Sequence, residues 1–184
     1  VADHITDKKP GNSVSNLSST RALADVTINN GGEYYASAVG EVNVVEMMKA
    51  KNAVIGGEGN GGVILPELHY GRDALVGIAL FLTYLSNKKL KMSELKNSFP
   101  QYTISKNKLA LSDTTDIDLL LEKISKKYKN VKQNKIDGLK LEFENEWVHM
   151  RKSNTEPIIR IYAESENEKT AHNLGERFVK ELKS

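Results

Sequence analysis

The sequence predicts an α/β domain built on a parallel sheet and incomplete at its N-terminus, followed by a small α+β domain with an antiparallel sheet. Three observations predict this. Strand and helix signals alternate between residues 13 and 57, strand signals follow one another between residues 139 and 163, and the pattern changes at Phe99-Pro100-Gln101-Tyr102. The expected domains are residues 1–99 and 100–184. A strand–helix–strand–helix–strand run implies parallel pairing through right-handed crossovers, which sends ligands to the loops at the carboxyl ends of the strands.

Val1-Ala2-Asp3-His4-Ile5 places two apolar residues one helical turn apart before Lys8-Lys9-Pro10-Gly11 stops the run. It reads as the tail of a helix that begins upstream, so the chain is expected to be a fragment. Ser13-Val14-Ser15-Asn16-Leu17 is a short strand, Ser18 or Ser19 can cap the next helix, and Asn30-Gly31-Gly32 ends it. Residues 33–38 form a second strand; Gly40 turns the chain, and Val42, Val45 and Met48 or Lys49 share a face of a helix running to Lys51. Ala53-Val54-Ile55-Gly56-Gly57 makes a buried third strand. Residues 72–87 are apolar on nearly every side, which predicts a helix sandwiched inside the domain, and residues 88–98 add a short, more polar one.

In the second domain, Ile117, Leu120, Leu121, Ile124 and Tyr128 have helical spacing. Leu139, Leu141 and Phe143 alternate with Lys140 and Glu142, and residues 147–150 and 158–163 follow as strands, Trp147 anchoring the sheet. Ser165 and Glu168 are spaced as a capping box ahead of a helix carrying Leu174, Phe178 and Leu182.

Composition narrows the function classes. With 39% apolar and 27% charged residues the chain is neither collagen-like nor disordered. The absence of Cys excludes a disulfide scaffold, thiolate metal sites and a Cys nucleophile, and it suits a reducing, cytoplasmic setting. Formal net charge is +2, with ten basic and ten acidic residues before Pro100 and sixteen and fourteen after it, so no nucleic-acid footprint stands out. The longest apolar run, residues 74–82, falls far short of the roughly 20 residues a membrane span needs. The lysines from Lys123 to Lys135 have acidic neighbours and read as a solvated helix face. His4, His69, His149 and His172 show no metal-ligand spacing, and Arg72-Asp73 reads as a helix opening capped by Asp73.

Two loops carry chemistry. Gly57-Glu58-Gly59-Asn60-Gly61-Gly62 follows the third strand; its glycines allow close backbone approach, while Glu58 and Asn60 supply acceptors and a donor suited to hydroxyl groups. A solvated glycine-rich turn is the competing reading. Arg151-Lys152-Ser153-Asn154-Thr155-Glu156-Pro157 gathers a guanidinium, an ammonium, two hydroxyls and an amide between two strands, which is the inventory of a phosphate receptor. A polar turn ahead of a Pro-initiated strand is the alternative. Arg160, on the following strand, either supports this loop or pairs with Glu164.

Taken together, G-E-G-N-G-G in an α/β unit and R-K-S-N-T-E-P in a later α+β unit resemble the second half of an α-D-phosphohexomutase, the family of phosphoglucomutase, phosphomannomutase and phosphoglucosamine mutase. The resemblance covers essentially the whole chain: residues 1–99 correspond to most of the family's third domain and residues 100–184 to its fourth. It implies that Glu58 and Asn60 contact sugar hydroxyls and that Arg151, Ser153, Asn154 and Thr155 hold the phosphate that does not react. It also implies a parent isomerase that interconverts hexose or hexosamine 1- and 6-phosphates through a bisphosphorylated sugar. The parent's phosphoserine loop and Mg²⁺-binding acidic loop have no counterpart string here, so no catalytic residue and no metal ligand is assigned, and the expected partners are a phosphosugar and the N-terminal half of the same enzyme. Many relatives carry Ser and His where this chain has Asn60 and Gly62, and the Val39-Gly40-Glu41-Val42-Asn43 segment lacks a basic residue that some relatives place nearby. The loop forms look most like the phosphoglucosamine mutase and broad-specificity branch. A stand-alone, non-catalytic phosphosugar-binding module is the alternative function.

Overall fold

In the computed structural model, which describes residues 1–110, 116–153 and 156–183, the chain divides into two units, Val1–Gln101 and Tyr102–Ser184. The first contains α1 (Ala2–Lys8), β1 (Ser13–Asn16), α2 (Ala22–Asn29), β2 (Tyr34–Ser37), α3 (Glu41–Ala50), β3 (Ile55–Gly57), β4 (Val63–Ile64), α4 (Ala74–Lys88) and α5 (Met92–Asn97). Its sheet runs β2-β1-β3-β4; β1 pairs in parallel with both β2 and β3, as the alternating pattern predicts. Every residue of β1 is buried, which fits its central place. The short β4 adds an antiparallel edge that the sequence did not announce, because two residues are too few to show an alternation.

Three details of this unit correct the sequence reading. Neither Ser18 nor Ser19 caps α2, whose N-cap is Arg21 with no side-chain cap bond; the Ser18 amide and the Ser19 hydroxyl instead donate to Asn16 Oδ1, at 3.1 and 3.0 Å. The buried face of α3 is Val44 and Met48, packed with Val14, Ala53 and Ile64, whereas Val42 is exposed. The expected Met48 and Val45 do reach this core, Val45 from its margin, so the difference lies at Val42, whose place on the buried face is taken by Val44. Nor is α4 sandwiched: it contacts α1 and β4, Tyr84 is its one buried side chain, and Leu75, Ile78 and Leu82 are 78%, 55% and 55% exposed. Apolarity states what a face is able to bury, not that a cover is present. The expected cap on this helix holds, Asp73 accepting from the Val76 amide at 2.9 Å.

The second unit contains β5 (Thr103–Ala110), α6 (Ile117–Lys127), β6 (Lys132–Asn134), β7 (Leu139–Glu142), β8 (Trp147–Lys152), β9 (Ile158–Ser165) and α7 (Glu168–Lys183). Its sheet, β5-β9-β8-β7-β6, is antiparallel throughout. One face buries Leu139, Leu141, Val148, Met150, Ile159 and Ile161 against α6 and α7. On the other face Trp147 is 1% exposed and donates from Nε1 to Glu164 Oε1 at 2.7 Å. The cap of α7 is Asn167, whose Oδ1 accepts from the Thr170 amide at 3.0 Å, not Ser165, which is the buried last residue of β9. The basic stretch is a solvated surface: Lys126 and Lys135 reach Glu122, Lys127 reaches Glu181 and Lys132 reaches Glu142.

Candidate functional site

In the first unit the chemistry collects at the carboxyl ends of the parallel strands, where the topology directs it. The glycine-rich loop leaves β3 and folds back at once: Glu58 N donates to Gly62 O at 3.1 Å and Gly61 N to Glu58 O at 3.0 Å. Gly61 sits at φ +93, in the region that glycine alone enters at no steric cost. Asn60 shapes the return, its Oδ1 accepting from the Gly62 amide at 3.0 Å while its side chain stays exposed.

Glu58 is differently placed. Its side chain is only 7% exposed, with Oε1 accepting from Asn16 Nδ2 at 2.9 Å and Oε2 from Arg72 Nη1 at 3.1 Å. Asn16 closes β1 and is itself fixed by the Ser18 and Ser19 contacts, so the end of one strand orients the acid at the end of its neighbour. Asn60 Nδ2 adds a longer contact to Oε2 at 3.5 Å; a carboxylate offers about four lone-pair directions, so these three donors leave room for a ligand hydroxyl. Beside it lies a cavity of about 180 Å³, whose walls include Ser15, Ser19, Thr20, Glu58 and Gly59. That is below the roughly 300 Å³ of a complete small-molecule pocket, enough for one edge of a ligand.

In the second unit the pairing of β8 with β9 sets two arginines opposite one another on neighbouring strands. Arg151 and Arg160 are cross-strand partners in the antiparallel register, and like charges directly opposite one another repel. Arg160 is partly compensated: Nη2 reaches Glu156 Oε2 at 2.7 Å and donates to Ser153 Oγ at 3.3 Å. Of the two roles the sequence left open for Arg160, support of the loop is the one seen, since Glu164 accepts from Trp147 instead. Among the described residues Arg151 has no such carboxylate and its buried Nε has no partner, while its Nη1 lies 3.4 Å from Lys152 O. Ser153 is buried, with its amide bonded to Ile158 O at 3.0 Å. Two arginines with an unused buried N–H beside a hydroxyl suit a tetrahedral oxyanion. Asn154 and Thr155 lie outside the described residues.

Of the expected residues, Glu58 and Asn60 thus share one loop in the first unit, and Arg151 and Ser153 one hairpin in the second. Asn16, Glu41 and Arg72 escaped the sequence reading. The polar run Asn16-Leu17-Ser18-Ser19-Thr20 at the carboxyl end of the first strand was the available signal for Asn16. Among the described residues, no group of three or more His, Cys, Asp or Glu could hold a metal ion. No helix among them is long and apolar enough to cross a membrane.

The comparisons with known proteins bear on the family and the fold. Residues 1–102 match phosphoglucomutase/phosphomannomutase alpha/beta/alpha domain III, and residues 110–181 match the phosphoglucomutase/phosphomannomutase C-terminal domain. The chain belongs to the phosphoglucomutase/phosphomannomutase family. It is 33% identical to a phosphoglucomutase/phosphomannomutase of Thermococcus kodakarensis over 99% of its own length and 40% of that protein. It is 38% identical to a phosphoglucosamine/phosphogalactosamine mutase of Sulfurisphaera tokodaii over 79% of its own length and 31% of that protein. Its fold matches a solved phosphoglucomutase/phosphomannomutase family protein of Burkholderia thailandensis with TM-score 0.78 and 24% identity, over 99% of this chain and 39% of that one. The chain therefore spans a third to two fifths of the length of these relatives.

Proposed function

We propose that this chain supplies sugar and phosphate recognition to a longer cytoplasmic phosphohexomutase, an isomerase that interconverts hexose or hexosamine 1- and 6-phosphates through a bisphosphorylated sugar. The first unit handles the sugar, with Glu58 accepting from its hydroxyls and Asn60 holding the loop and offering its amide. The second unit holds the spectator phosphate through Arg151 and Ser153, with Asn154 and Thr155 completing the motif. The phosphoserine, the Mg²⁺ and its acidic ligands belong to an N-terminal half outside this sequence, so no chemical step is assigned to residues described here.

The observation that carries this reading is the facing Arg151–Arg160 pair with its unpartnered buried N–H. Two cations on paired strands leave positive charge that a bound phosphate would offset, and the unused buried N–H of Arg151 is a donor for one of its oxygens. Glu58 supports the sugar half, because a carboxylate held at two points accepts directional hydrogen bonds from hydroxyls without reorganising.

The test is to follow hexose 1-phosphate by phosphorus NMR with the chain alone and with the full-length polypeptide that contains it. Conversion to the 6-phosphate is expected from the full-length protein and none from the chain alone. Turnover by the isolated chain, or a full-length protein inactive on glucose, mannose and glucosamine phosphates alike, would overturn the proposal. Tight binding of hexose phosphates by the chain, without turnover in either form, would mark a stand-alone binding module.

A further inference from the structure

The cation that reaches the carboxylate of Glu58 reads from sequence only as part of a helix opening. Arg72 precedes α4, and its place is fixed by its successor: Asp73 N donates to Val63 O at 2.8 Å, and the Asp73 side chain caps the helix. From there Arg72 grips two acids at once. Its backbone N donates to Glu41 Oε1 at 2.9 Å and its Nε to Glu41 Oε2 at 2.8 Å, a two-point hold on one carboxylate. Those bonds, the backbone one first, hold the Glu41 carboxyl below the usual carboxylate range. The remaining arm, Nη1, reaches Glu58 Oε2 at 3.1 Å.

Two further facts show that this placement is built in. A Cβ on Gly62 would stand 2.6 Å from Arg72 Cδ, so the last glycine of the loop leaves the space that the arginine stem fills. Glu41 opens α3 directly after Gly40, whose φ is +122, so the acid that anchors the guanidinium is set by a turn that suits glycine. Three loops at the carboxyl ends of β2, β3 and β4 are thereby tied through one side chain.

We infer that Arg72 is the positioning residue of the sugar-binding carboxylate: anchored on Glu41, it fixes the orientation of Glu58 and offsets its charge, so that the remaining lone pairs meet ligand hydroxyls without repelling an anionic ligand. This rests on the proposed sugar role of Glu58. A Lys could not reproduce it, because a single ammonium lacks the planar fork that serves two carboxylates in fixed directions. The Arg72 side chain is 44% exposed while that of Glu58 is 7% exposed, so removing Arg72 also takes a partner from a buried carboxylate. A positioning role is therefore read in KM, with the thermal midpoint measured beside it.

The experiment is a double-mutant cycle in the full-length protein, with Arg72→Met, Glu58→Gln and the double variant assayed for KM, kcat and thermal midpoint on the preferred hexose phosphate. Arg72→Met is expected to raise KM about tenfold with kcat nearly unchanged, because the hydroxyl contact is made in ground and transition states alike. Added to Glu58→Gln it should cost less than about twofold more, since residues acting through one contact are not additive. Arg72→Lys should recover only part of the loss, and it replaces Arg72→Met in the cycle if that variant does not fold. Full additivity, or an unchanged KM in Arg72→Met while Glu58→Gln is impaired, overturns the role of Arg72 and leaves the sugar reading standing. An unchanged KM in Glu58→Gln overturns both.

Discussion

At the scale of single residues, the sequence singled out both loops by their side-chain chemistry, and the structure places Glu58 and Asn60 in one and Arg151 and Ser153 in the other. An acid amid glycines after a buried strand and a cation beside two hydroxyls each name a ligand class. What was not legible is partnership. That Asn16 orients Glu58, that Arg72 reaches it from 14 residues along the chain, and that Arg160 faces Arg151 rather than Glu164 depends on register and crossover geometry. That facing pair leads to a prediction that separates binding from stability. Under the proposed function Arg151→Met would remove a charge-assisted phosphate contact of about 1.5–3 kcal/mol, so affinity for inorganic phosphate should fall roughly ten- to a hundredfold. It also removes one of two opposed like charges, so the unfolding midpoint should stay level or rise. Titration calorimetry and thermal melts on the same preparation check both, and a lower midpoint with unchanged phosphate affinity would reassign Arg151 to a structural role.

At the scale of elements, long and regularly patterned segments were read well, and short or two-sided ones poorly. α6 and α7 followed from apolar spacing, whereas β6 is a three-residue polar edge strand and β5 alternates only weakly, its residues nowhere fully buried. The exposed stripe of α4 shows the opposite failure, where hydrophobicity was read as burial. β8 carries a property that only the structure gives: His149, 1% exposed, bonds through Nε2 to Asp137 O at 2.7 Å, and burial, aided by Lys140 and Arg151, pushes its imidazole down from 6.5 to about 4. The unfolded chain takes up this proton as pH falls through about 6.5, while the native state resists it until about 4. The contribution to stability is therefore complete above the higher value and lost on acidification between the two. Urea unfolding at pH 7 and pH 4.5 should show wild type losing about 2 kcal/mol more than His149→Gln over that step. Parallel losses in the two proteins would assign the acid sensitivity to other groups.

At the scale of the whole molecule, the proposed function divides one ligand between two kinds of recognition, hydroxyls by Glu58 in the first unit and phosphate by Arg151 in the second. Each residue has its own partners: Glu58 bonds Asn16 and Arg72, while Arg151 faces Arg160 across β8 and β9. Residues that share no partner and act on different ligand atoms contribute additively, within about 0.5 kcal/mol, whereas residues acting through a single contact do not. The pair Glu58→Gln and Arg151→Met should therefore add in the KM of the full-length protein, in contrast to the pair Glu58→Gln and Arg72→Met. Inorganic phosphate, as a competitive inhibitor, should weaken with Arg151→Met and be indifferent to Glu58→Gln, because it carries no sugar hydroxyls. Strong coupling between Glu58 and Arg151, or loss of phosphate inhibition in Glu58→Gln, would mean that both residues serve the same end of the ligand, and the division of labour between the two units would have to be abandoned.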